Sequence, residues 1–101
     1  MDCVKLYFKE NLIGVLTFDV KNNRYIFVKN KFFGNKYIEE IIGINDPKEV
    51  YYSPTLFSFF FSFLKRYSNN EYQNEYEELI KIAGLDFDKN QFWIGAWENG
   101  W

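Results

Sequence analysis

The sequence predicts an α+β domain, an antiparallel sheet of four to five strands with two to three helices packed on one side. Three observations point to it. Apolar and polar residues alternate with period two through the first thirty residues, and helical spacing of apolar residues takes over after Ser53. The chain has 101 residues, 48% of them hydrophobic and 26% charged, which suits one core, so residues 1–101 are read as a single domain.

Val4, Leu6 and Phe8 alternate with Lys5, Tyr7 and Lys9, the pattern of a strand with one buried face, and Glu10-Asn11 supplies turn chemistry. Leu12 to Phe18 reads as a second strand, with Ile13, Val15 and Thr17 on one face. A polar connection from Asp19 to Asn23 leads into Arg24-Tyr25-Ile26-Phe27-Val28-Lys29, completing a three-stranded meander. Tyr37 to Ile44 fits a strand or a helical turn and is read as a further strand, broken by Asn45-Asp46-Pro47, and Glu49 to Tyr52 as a short extended piece.

Ser53 followed by Pro54 predicts an N-cap and first helical residue, opening a helix to Tyr67. At about 100° per residue, Leu56, Phe57, Phe59, Phe60, Phe61, Phe63, Leu64 and Tyr67 cover an arc of roughly 200°. That is about twice what one sheet face needs, so either the helix is buried on both flanks or an outer edge at Phe61 or Phe59 meets a partner. Ser68-Asn69-Asn70-Glu71 has the form of a capping box, and Tyr72, Tyr76, Leu79, Ile80 and Ala83 recur at helical spacing before Gly84. Asp88 to Gln91 repeats a capping pattern, which predicts a short last helix over Phe92-Trp93-Ile94-Gly95-Ala96-Trp97.

Composition removes several functions. Net charge is -2, so the long-range attraction needed for direct nucleic-acid binding or for an anionic membrane surface is missing. With no His and one cysteine, Cys3, neither a zinc ligand set nor an internal disulfide is expected. General acid-base catalysis has no imidazole to use, and the ordinary reading of Asp86 and Asp88 is turn and N-cap residues. Gly34 and Gly43 lack a phosphate-cradling spacing, so no cofactor is expected and the chain is not expected to be an enzyme. Met1-Asp2-Cys3-Val4-Lys5 has no signal-peptide pattern, and the most apolar window, Leu56 to Leu64, is nine residues long against the ~20 of a spanning helix. A cytoplasmic protein is the expectation. The remaining unusual feature is 23% aromatic residues, more rings than so small a core easily encloses, which predicts a protein contact surface.

Several stretches resemble the amino-terminal region of HipA-type kinases, the toxins of bacterial toxin-antitoxin systems, and the resemblance covers nearly the whole chain. Val4-Lys5-Leu6-Tyr7-Phe8 with Asn11-Leu12-Ile13-Gly14-Val15-Leu16-Thr17 is similar to the family's opening hairpin, where a Gly follows apolar residues in the second strand. Arg24-Tyr25-Ile26-Phe27 is similar to its third strand, and Tyr52-Ser53-Pro54-Thr55-Leu56-Phe57-Ser58-Phe59-Phe60 to its strand-to-helix entry. Gly84-Leu85-Asp86 with Phe92 onward resembles its next helix. Two departures stand out. Where the family runs into a Leu-Leu-Pro-Glu turn, this chain has Phe63-Leu64-Lys65-Arg66-Tyr67-Ser68, and the kinase machinery that follows in a full-length member is not in this sequence.

The resemblance implies the split arrangement in which this domain is a separate small protein, a HipS-like antitoxin that binds a HipT/HipA-like serine/threonine kinase and holds it inactive. A HipB-like DNA-binding protein is a further partner it implies in a larger complex. The alternatives are a non-inhibitory accessory domain of such a kinase and an unrelated small inhibitor protein. Aromatic anchors entering a groove of the partner suit this role, because each ring buries a large area while losing few rotamers. The candidates are Phe61 and Tyr67 on the helix edges and Trp93, Trp97 and Trp101 at the end, with core filling as the competing role of Trp93 and Trp97.

Overall fold

The structure, a computed structural model, describes residues 3–33, 41–43, 48–68, 71–83 and 92–97. The expected meander is present as β1 (Cys3–Phe8), β2 (Asn11–Asp19) and β3 (Arg24–Lys29), each antiparallel to the next. Lys9, with φ 58°, makes the left-handed turn between β1 and β2. Between β2 and β3 the Asn22 side chain donates to Asp19 Oδ2 at 2.7 Å, and Asn23 takes the left-handed position with φ 52°. A 3-10 turn, Lys31–Phe33, follows. β4 (Val50–Ser53) then pairs with β3, and β5 (Phe92–Trp97) pairs antiparallel with β1. The five-stranded order is β4-β3-β2-β1-β5.

β5 corrects the short helix expected over these residues. Phe92 and Ile94 alternate with Trp93 and Gly95, and pairing Phe92 with Phe8 and Ile94 with Leu6 puts the apolar set on the core side of β1. Long-range pairing with a buried strand overrides the local capping pattern. The capping residues themselves, Asp88 to Gln91, lie outside the described residues, as does Asp86. The strand expected over Tyr37 to Ile44 is likewise corrected where it is described, because Ile41 and Ile42 have helical backbone, and Ile41 is fully buried against the core.

Both described helices start later than their sequence signals. α1 spans Ser58–Tyr67 and α2 spans Glu75–Ile82. Ser53 is not an N-cap: it ends β4 opposite Tyr25, and its Oγ accepts from the Thr55 N–H at 3.1 Å, two residues on. The chain stays extended through Phe57, with ψ 147°, which seats Leu56 and Phe57 in the core before the helix begins. α1 closes with the Ser68 N–H on the Leu64 carbonyl at 2.9 Å, and Lys65 and Arg66 sit in its last turn, where cations suit the helix dipole. In α2 the cap is Asn74, whose side chain accepts from the Glu77 N–H at 3.1 Å, so Ser68-Glu71 is not the cap either. Ser68 instead donates through Oγ to Glu78 Oε2 at 2.9 Å, tying the end of α1 to α2.

The sheet and helices share one core. Val4, Leu6, Leu16, Phe27 and Ile94 from the strands meet Phe60, Phe63 and Leu64 of α1 and Leu79 and Ile82 of α2. Both helices therefore lie on one face, the α+β arrangement that the sequence predicts. β2 departs from the expected alternation, because a bulge between Leu6 and Tyr7 shifts the pairing by one residue. Ile13 and Leu16 reach the core, whereas Val15 and Thr17 fall on the other face with Lys5, Tyr7, Trp93, Ile26, Val28 and Tyr52. Among the described residues no helix is long and apolar enough to cross a membrane.

Candidate functional site

The wide aromatic arc of α1 is divided by its neighbours. Phe60 and Phe63 are buried, and Phe59 is half-buried, its ring 5.4 Å from Phe92 of β5. Phe61 alone of the helix's phenylalanines is exposed, at 40%, flanked by Ser62, Lys65 and Arg66 on the solvent side. The Lys65 ammonium lies 5.0 Å from the Phe61 ring centre, one turn on, a cation-π contact that covers the ring without burying it in the protein.

Beside this ring a groove of about 360 Å³ is lined by Pro54, Thr55, Leu56, Phe61 and Glu75. Its wall is fixed from below. The Tyr25 hydroxyl donates to Glu75 Oε1 at 3.1 Å, joining β3 to the first turn of α2. Burial, and then the Glu75 carboxylate beside it, push the Tyr25 phenol above its ordinary value near 10, so it stays a donor. An apolar floor, a protruding ring with the Lys65 ammonium over it and the Glu75 carboxylate in the lining can seat a side chain of a partner protein.

The other aromatic candidates are dispersed. Tyr67 is half-buried against the core, with its ring 4.6 Å from Phe63, and the Arg66 guanidinium lies 5.4 Å from its centre. Trp93 lies on the opposite face of the sheet from Phe61, stacked on Tyr7 with ring centres 4.2 Å apart and planes 10° from parallel. Its Nε1–H donates to the Lys9 carbonyl at 2.7 Å, so it also braces the β1–β2 turn. Trp97 pairs with Cys3 at the end of β5, and Trp101 lies outside the described residues. Phe61 and Trp93 thus cannot enter one small pocket of a partner together.

Sequence reading missed Pro54, Thr55, Leu56 and Glu75 as groove residues, because their meeting depends on the late start of α1. It also missed the second face, where the Arg24 guanidinium lies 4.3 Å from the ring centre of Tyr52. Reading Phe92–Trp97 as a strand would have placed Trp93 with Tyr7 by alternation alone. Among the described residues no group of three metal-ligating side chains is gathered.

No family model, curated protein or solved structure matches the chain. The site therefore rests on its own geometry.

Proposed function

We propose that this chain is a protein-binding module that acts in the bacterial cytoplasm as a HipS-like antitoxin, docking on a HipT/HipA-like serine/threonine kinase toxin and holding it inactive. The observation that supports docking most is Phe61. A large ring is held at 40% exposure on a helix whose Phe60, Phe63 and Leu64 are packed into the core, beside a groove lined by Leu56 and Glu75. Such an anchor costs little to order, since its helix is already fixed by Phe60, Phe63 and Leu64. The kinase part of the reading rests on the residue resemblance through the first hairpin, the third strand and the Phe-rich helix.

The experiment is co-expression with the product of the adjacent gene, co-purification, and a phosphoryl-transfer assay with and without this protein. A stable complex with suppressed kinase activity is the expected result. Association that leaves kinase activity unchanged would instead favour a non-inhibitory accessory domain, and no association would remove the kinase as partner.

A further inference from the structure

The edge of the sheet at β4 carries a second binding feature, independent of Phe61 and of the kinase reading. In the β3–β4 pair the Lys29 N–H bonds the Glu49 carbonyl at 2.9 Å, and the register continues through Phe27 with Tyr51 and Tyr25 with Ser53. Alternation in an antiparallel ladder then turns the N–H and C=O groups of Val50 and Tyr52 outward, away from β3. No described residue pairs with them. Along this edge runs a groove of about 530 Å³ lined by Ile42, Lys48, Val50, Tyr51, Tyr52, Ser53 and Phe57.

The two faces of the edge differ in chemistry. On the helix side the groove offers Ile42 and Phe57 as apolar walls. On the other face Tyr52 is 56% exposed, with the Arg24 guanidinium over its ring. Arg24 forms an ion pair with Asp19, Nε to Oδ2 at 3.4 Å, without a hydrogen bond from that nitrogen, and the same carboxylate accepts from Asn22. The Arg24 side chain remains 40% exposed beside this contact, and a guanidinium has five N–H donors, so it can meet a second carboxylate from outside.

We infer that β4 accepts an extended segment of a partner protein as a sixth strand, with an apolar side chain in the Ile42–Phe57 groove and a carboxylate on the next residue facing Arg24. Backbone bonds to Val50 and Tyr52 supply affinity, and the apolar–acidic alternation supplies specificity. A second copy of β4 fits less well, since its residues Val50–Ser53 carry no carboxylate.

The test is selection from a displayed library of random dodecapeptides, followed by amide hydrogen exchange of the full chain with the enriched peptide. Enriched sequences alternating apolar residues with Asp or Glu, and new protection at the Val50 and Tyr52 amides, are expected. Arg24→Glu should weaken the selected peptide by about tenfold or more, as like charges are brought together. Failure to enrich any peptide, or protection confined to other strands, overturns the proposal. Val50 and Tyr52 amides already protected without peptide, in a protein that sediments as a dimer, would assign the edge to a second copy and overturn it equally.

Discussion

Gly14→Ala tests the packing between the opening hairpin and the Phe-rich helix. A Cβ added at Gly14 would stand 2.3 Å from Phe27 Cζ, 2.8 Å from Phe27 Cε1 and 2.7 Å from the Val28 carbonyl oxygen. Phe27 cannot swing away cheaply, because it is fully buried, with Phe57 and Phe60 ring centres 6.3 and 5.9 Å from its own. The carbonyl belongs to the β3 backbone and moves only with the strand. Overpacking of this kind costs about 3 kcal/mol at the upper end of its usual range. Replacing glycine in a strand interior returns about 0.5–1 kcal/mol of backbone entropy, so the net loss is about 2 kcal/mol. For a domain of this size that lowers the melting temperature by roughly 8–16 °C. Urea denaturation followed by far-UV circular dichroism reads it. Phe27→Leu in the same chain removes the atoms met first, so the double variant should be less destabilised than the two single losses added. A Gly14→Ala protein as stable as the parent would refute the reasoning.

Neighbouring rings on α1 should behave oppositely: Phe60→Ala loses about 3–5 kcal/mol in denaturant titration, whereas Phe61→Ala stays within about 1 kcal/mol of the parent. Asn74→Ala removes the cap of α2 and should cost about 1 kcal/mol, visible as a lower urea midpoint at unchanged slope. Tyr25→Phe loses the bond to Glu75 and should cost about 1–2 kcal/mol at neutral pH. Because folding raises the Tyr25 phenol above its ordinary value near 10, the folded state keeps that proton longer than the unfolded chain. The stability it contributes is full below pH 10 and falls as pH rises beyond it, so alkaline titration of stability should be shallower in Tyr25→Phe than in the parent.

The existence and order of the first three strands were legible because apolar alternation and polar turns mark each of them between Val4 and Lys29. β5 was not, since Asp88 to Gln91 imitates a helix start and only its pairing with β1, far away in sequence, makes Phe92–Trp97 extended. The bulge at Leu6/Tyr7 was equally silent, and it moved Ile13 to the core against simple alternation. At the candidate site, the sequence narrowed the outer edge of α1 to Phe61 or Phe59. Choosing between them required β5, because it is Phe92 that packs on Phe59 and leaves Phe61 outward. Ser53 and Pro54 misled for a related reason: the strand takes Ser53 first, and the helix can begin only after Leu56 and Phe57 have reached the core.

Titration of the adjacent-gene kinase with this protein and with its Phe61→Ala variant, both checked for folding by circular dichroism, tests the central claim most directly. The account predicts stoichiometric loss of phosphoryl transfer with the parent protein and at least about a tenfold weaker effect with the variant, as for a buried aromatic anchor. Equal inhibition by both proteins would remove Phe61 from the interface, and kinase activity untouched by either would contradict the antitoxin reading itself.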